Sequence, residues 1–202
     1  MAETGFLPED LSSGKVPEFL KPAALCRQVH GNEILAVNKE GLYGPCDGLV
    51  TRNSSLTLMV RVADCTAVAL WGDEGPAMIL HAGWKGAATG ILEKGLDILE
   101  NEGVSPGKLY AHLFPSARAC CYEIREDIFP ELPEGMESFI ERREEKYYLD
   151  IPGYLEDILS GKGCCRITMD PRCTICTPSL FSYRRNATKK RHGAWIRLGR
   201  DE

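Results

Sequence analysis

Short apolar, β-branched runs separated by turn residues dominate the first half of the chain. Residues 24–29 and 34–37 are two such runs, parted by Gly31 and Asn32, and they predict strands. Residues 49–51, 56–62, 66–71 and 77–81 continue the series. The period changes after Gly83 and Gly86: Ala88, Ile91, Leu92, Leu96 and Leu99 fall on one face of a helix, with Gly103 as its stop. Residues 109–114 return to a strand pattern. Residues 122–129 predict the start of a short helix, 141–146 a charged turn or helix face, and 147–149 a strand. A helix over 151–159 has Pro152 in its first turn and Asp150 as its cap, and 167–169 and 194–198 read as late strands. Strands come in runs and not in strict alternation with helices, which predicts an α+β fold. No repeat or linker divides the sequence, so residues 1–202 are expected to form a single domain. The first 22 or so residues carry Pro8, Pro17 and Pro22 and read as a loosely attached N-terminal arm.

Composition narrows the function classes. With 202 residues, 44% apolar and 26% charged, the chain is long enough for a sizeable core. A net charge of −5 argues against a broad nucleic-acid surface, yet a local pocket can still attract a small anion. The strongest apolar stretch, residues 56–71, is broken by Arg61 and Asp64 and predicts no membrane span. The opening MAETGFLPED lacks the basic start and apolar core of an export signal, so a cytoplasmic, reducing compartment is expected. Most of the nine cysteines are then expected to be buried thiols, reactive groups or metal ligands and not disulfides. Nothing in the sequence sets an oligomeric state.

Three residues carry the chemistry. His30 lies in Gln28-Val29-His30-Gly31, where a strand meets a turn. Cys65 lies in Ala63-Asp64-Cys65, between two apolar runs. His81 opens His81-Ala82-Gly83-Trp84-Lys85-Gly86, where a strand gives way to a helix. Two imidazoles and a thiolate are a coherent ligand set for zinc, with a fourth position open to water or substrate. A Cys–His pair with Cys65 as nucleophile is the alternative chemistry. The plain alternative makes Cys65 a buried thiol and the histidines turn residues. The spacings, 35 and 16 residues, match no zinc finger.

The ordered words QVHG, ADC and HAGWKG resemble the laccase-like, YfiH-like family, also named for multicopper polyphenol oxidases, purine nucleoside phosphorylases and peptidoglycan editing factors. Cys46-Asp47-Gly48-Leu49-Val50-Thr51, Phe114-Pro115-Ser116, Cys120-Cys121-Tyr122-Glu123, Leu149-Asp150-Ile151-Pro152, Cys173-Thr174-Ile175-Cys176 and Leu180-Phe181-Ser182-Tyr183-Arg184-Arg185 extend the likeness over residues 24–198. The resemblance implies a layered α/β/β/α sandwich with mixed β-sheets and a metal held by His30, Cys65 and His81. It implies zinc, with copper as the alternative, and a catalytic role for the same three residues. Its implied activities are phosphorolysis of adenosine, inosine, guanosine or methylthioadenosine, adenosine deamination, phenol oxidation, and amidase correction of peptidoglycan precursors. A zinc-dependent purine nucleoside enzyme is the leading expectation, with purine nucleoside and phosphate as small-molecule partners. A metal-stabilised module without catalysis is the rival from another class. The chain departs from the family at Lys85, where arginine is usual, at Val62 in place of a threonine, and in lacking an S-L-N-L-G…G-D word before His30.

Lys85 and Arg184 are the expected substrate-binding residues, and Asp64, beside a ligand, is expected to orient an imidazole. The basic stretch Arg184, Arg185, Lys189, Lys190, Arg191 reads first as a solvated turn. His112 reads as a satisfied core histidine. Cys164 and Cys165 with Cys173 and Cys176 form a second, less favoured metal-site candidate.

Overall fold

A computed structural model describes residues 2–199; Met1 and residues 200–202, part of the expected 1–202 domain, lie outside the described residues. Fourteen strands form three sheets among the described residues. Strands β1 (Ala2–Leu7), β2 (Ala23–Cys26), β4 (Gly41–Tyr43), β6 (Thr57–Val62) and β14 (His192–Leu198) make a five-stranded sheet in the order β1-β14-β6-β2-β4. Strands β3 (Ile34–Ala36), β5 (Gly48–Thr51), β7 (Thr66–Gly72), β8 (Ala77–Ala82), β9 (Leu109–Leu113) and β13 (Arg166–Met169) make a six-stranded one, ordered β13-β9-β7-β8-β5-β3. Both sheets mix parallel and antiparallel pairs, so the α+β fold with mixed sheets stands.

Alternation along each strand builds the layers. In β6, Leu58, Val60 and Val62 face inward, where they meet Ala67 and Ala69 of β7 and Ile79 of β8 in an apolar slab between the sheets. The opposite faces of β7 and β8 present Val68, Leu70, Met78 and Leu80 to the helices. There α2 (Ile91–Asn101) buries Ile91, Leu92, Leu96 and Leu99, and α3 (Ile151–Gly161) buries Ile151, Leu155 and Leu159. On the outer face of the five-stranded sheet, Leu11, Leu20 and Val16, from irregular chain and one 3-10 turn, cover Met59, Leu25 and Trp195.

That cover is also the supposed loose arm, and the reading is corrected. Residues 2–7 pair antiparallel with β14, from Ala2↔Leu198 to Leu7↔Gly193, and Leu7, Leu11 and Leu20 are buried. A Cβ on Gly193 would collide with Leu11 Cδ1, so a glycine there makes room for the leucine. The prolines disfavour regular structure without preventing an extended chain from packing.

Four local expectations also change. The helical face starting at Ala88 is two helices, α1 (Trp84–Ala88) and α2, broken at Gly90, whose φ of +78° is left-handed. Residues 122–129 give β10 (Glu123–Ile124) and then a 3-10 turn. The charged 141–146 segment is a hairpin of β11 (Ile140–Arg143) and β12 (Lys146–Leu149), which with β10 forms the third sheet. Asp150 precedes α3 but makes no side-chain cap bond.

One buried histidine ties the cover to the sandwich. His192 Nδ1 lies 3.1 Å from the Pro8 carbonyl and its Nε2 accepts the Phe181 N–H at 2.6 Å. That pairing suits neutral imidazole alone, because a second ring proton would point at the Phe181 amide. Burial pushes its pKa below the ordinary value. The unfolded chain therefore binds more protons near pH 6, and this contribution is fully present above about pH 6.5 and is lost as pH falls through the folded pKa. Urea midpoints should fall as pH drops from 7 to 5. His192→Gln should flatten that slope, leaving the contributions of His112, which burial shifts the same way, and of the opposed pair Cys65 and His81. An unchanged slope in the variant would remove His192 as its source.

Candidate metal centre

The three expected ligands converge at one rim of the sandwich. His30 follows β2, Cys65 sits in the turn between β6 and β7, and His81 is near the end of β8. The register Ala67↔His81 places the start of β7 beside the end of β8. One ligand atom from each of His30, Cys65 and His81 lies within 4.8 Å of the others. The two imidazoles meet edge to face, ring centroids 5.0 Å apart. Gly83 keeps the spot open: a Cβ there would stand 3.1 Å from Cys65 Sγ and 3.3 Å from His30 Cδ2. The second glycine of HAGWKG serves backbone packing, since a Cβ on Gly86 would lie 2.9 Å from the Gly31 carbonyl oxygen.

Asp47, which the sequence reading did not single out, organises this centre. Its carboxylate is fully buried. Oδ1 lies 2.8 Å from His81 Nδ1 and accepts the His30 N–H at 3.0 Å, while Oδ2 accepts the N–H groups of Val29 and Gly31 at 3.1 and 2.8 Å. Three consecutive amides thus wrap one carboxylate, which places His30 and leaves His81 Nε2 as its free nitrogen. Burial alone would raise the Asp47 pKa, but the His81 bond, the His81 charge and the amides hold it below the ordinary carboxylate value. Gln28 docks the same loop on β6, accepting the Arg61 N–H at 2.9 Å and donating to the Arg61 carbonyl at 2.8 Å. The word CDG, read beside QVHG, carries the signal for this pairing.

Asp64 does not orient an imidazole, and that assignment is corrected. Its Oδ1 accepts the Thr174 hydroxyl and its Oδ2 the Arg184 N–H, both at 2.7 Å. Its φ of +92° is unusual for a non-glycine residue. Those two bonds hold the bend that aims Cys65 into the site. Burial would raise the Cys65 pKa, but the His81 charge and hydrogen bonds from His30 and His81 outweigh it and bring it down to about 6. Reciprocally, burial would depress His81, yet Cys65 and Asp47 raise it to about 9. The cysteine is thus held as the thiolate that metals require.

A cavity of about 670 Å³ opens over the three residues. Arg27, Arg61, Arg184, Lys189 and Arg191 line it, with the aromatic rings of Trp84, Tyr122 and Tyr183. Part of the stretch read as a solvated turn is therefore cavity wall. Arg184 is held there by stacking over Tyr122 at 4.5 Å and by donating to the Glu123 carbonyl at 2.7 Å. Arg185 instead binds the carbonyls of Thr174, Ile175, Thr177 and Leu180. Lys85 is exposed over the Trp84 ring, 5.3 Å from its centroid, and is not among the lining residues; its substrate-binding role is corrected. Helix geometry turns it outward, one residue after a side chain that faces in. His112 bonds the Thr168 hydroxyl at 2.8 Å, away from the cavity. Cys164 donates to the Leu109 carbonyl and stands apart from Cys173 and Cys176, whose neighbours are Cys120 and Cys121.

A mixed-sheet sandwich with a thiolate–imidazole trio that could hold a metal ion, set under a cationic cavity, defines the class of this α+β protein. The family model for multi-copper polyphenol oxidoreductase laccase matches residues 15–199, and the chain belongs to that family. A purine nucleoside phosphorylase of Aquifex aeolicus is 36% identical over 145 residues, covering 72% of this chain and 67% of the relative. A purine nucleoside phosphorylase of Corynebacterium glutamicum is 34% identical over 181 residues, covering 86% and 73%. Among solved structures, YlmD from Geobacillus stearothermophilus superposes with a TM-score of 0.81 at 27% identity, covering 90% of this chain and 75% of that one. Hypothetical protein YfiH of Bacillus licheniformis gives 0.81 at 26%, covering 89% and 75%. No helix among the described residues is long and apolar enough to cross a membrane.

Proposed function

We propose that the chain is a zinc-dependent purine nucleoside enzyme that cleaves adenosine, inosine, guanosine or methylthioadenosine with phosphate and also deaminates adenosine. The observation that carries this reading is the junction of a thiolate–imidazole trio with a cation-lined cavity of nucleoside size. The names of the relatives support its purine nucleoside phosphorolysis. The donor set fits zinc: two nitrogens and one thiolate, with Asp47 fixing one ring, leave a fourth position open. Zinc bound there supplies a Lewis acid. His30, Cys65 and His81 hold the ion. The guanidinium groups of Arg61, Arg184 and Arg191 hold phosphate, and the faces of Trp84 and Tyr183 offer stacking surfaces to a purine. Two imidazoles at the centre suit one ion and not several, since His112 and His192 are bonded elsewhere, which disfavours phenol oxidation by several coppers.

The test is adenosine incubated with zinc-loaded protein, products separated by chromatography. Adenine should form with phosphate present, and inosine with ammonia without it. No turnover of any purine nucleoside would overturn the reading, and release of serine from a muropeptide would point to the amidase. Arg61 reaches the cavity from β6, so Arg61→Ala should raise the phosphate KM about tenfold, roughly 1.4 kcal/mol, with kcat nearly unchanged. An equal loss in kcat would place Arg61 with the reacting groups.

A further inference from the structure

Two loops remote in sequence bring four cysteines to one point. The Sγ atoms of Cys120, Cys121, Cys173 and Cys176 all lie within 4.8 Å of one another. Cys176 Sγ is 2.8 Å from Cys121 Sγ and 3.3 Å from Cys120 Sγ. A zinc–sulfur bond of about 2.3 Å puts tetrahedral sulfurs about 3.8 Å apart, so this set needs shifts of only about 1 Å to enclose one ion. An iron–sulfur cluster interposes its own irons and sulfides and spreads its cysteines further. The spacing Cys173-x-x-Cys176 is one that zinc sites use.

Arginines brace both loops from outside the sulfurs. The carbonyls of Thr174, Ile175 and Thr177, in the loop of Cys173 and Cys176, accept from Arg185 Nη1 at 2.8, 3.0 and 3.2 Å. Arg143 does the same for the other loop, binding the Ala119 and Cys120 carbonyls at 2.8 and 3.1 Å. Arg185 and Arg143, the latter also paired with Glu141, therefore fix the backbone of both cysteine loops.

We propose that Cys120, Cys121, Cys173 and Cys176 form a second metal site, taking a single zinc ion, that pins the loop leading into Tyr122, a cavity-lining residue, to the loop that carries Thr174. Uptake of the ion releases the remaining thiol protons to solvent. The clamp bears directly on the first centre. Tyr122 follows Cys121, and Thr174, between two ligands, holds Asp64 beside Cys65. Cys173 is buried, whereas Cys120 and Cys176 are exposed, so the ion is open to loading and to chelation.

The test uses the full chain, purified reduced, loaded with zinc and desalted, with metal content and melting temperature as readouts. The wild type should hold two zinc ions per chain, Cys65→Ser one, Cys176→Ser one, and Cys65→Ser/Cys176→Ser none. Zinc should raise the melting temperature of Cys65→Ser and leave the double variant unmoved. Cobalt-loaded Cys65→Ser should show the intense sulfur-to-metal absorption of four thiolates. A Cys65→Ser chain that binds no zinc after reduction would overturn the proposal, and so would a Cys121–Cys176 disulfide that persists through reduction. Should only the first centre fail to bind, the wild type would hold one ion that Cys65→Ser keeps.

Discussion

Cys65→Ala is expected to empty the first centre and to lower purine nucleoside turnover at least about 10³-fold, the scale of losing a main electrostatic contact to the transition state. Cys65 supplies the only anionic ligand of the trio, and two neutral imidazoles hold zinc far more weakly than two imidazoles and a thiolate. The side chain is small and half-buried at the cavity floor, so the fold should survive its truncation. Zinc analysis and steady-state kinetics check this. Chelation of the wild-type protein should give the same loss of turnover. If the chelated wild type stays active while Cys65→Ala is dead, Cys65 acts as a nucleophile and not as a ligand.

Asp47→Asn should be the most damaging change away from the ligands. The substitution keeps the volume but removes the charge and sets an amide NH₂ among four donors. Breaking a buried ionic network in this way costs roughly 3–5 kcal/mol. For a chain of this length that is about 10 °C in melting temperature. Zinc affinity should fall about 10–100-fold, because His81 loses its fixed tautomer and the loop carrying His30 loses its anchor. Asp64→Asn is the contrast: it should loosen the Arg184 and Thr174 contacts with a smaller loss of zinc affinity. Equal zinc loss in both variants would deny Asp47 its special place.

The contrast between these two aspartates shows what was legible. Asp64 adjoins Cys65 in sequence, and adjacency alone points to it. Asp47 lies 34 residues from His81 and touches it only because β5 pairs with β8 and brings the two loops to one rim. Lys85 tells the same story, since its place in HAGWKG put it near the ligands while helix geometry turned it to solvent.

Local pattern determined most of the central strands, the buried faces of α2 and α3 and the α+β class, and residue chemistry offered His30, Cys65 and His81 as candidate ligands that the resemblance then favoured. These are properties of periodicity and of residue chemistry that each segment carries by itself. Tertiary structure decided the rest. Residues 2–7 have too little apolar alternation to announce a strand, and β14 made them one by offering an open edge. Arg27, Arg61 and Arg191 are ordinary surface cations in sequence and become a cavity wall because three distant segments meet there. The four clustered cysteines came from Cys120 and Cys121, not from the nearer Cys164 and Cys165, because Cys164 was turned to the Leu109 carbonyl. Side-chain convergence depends on which strand edges pair, and that is settled by packing the whole core, which no single segment encodes.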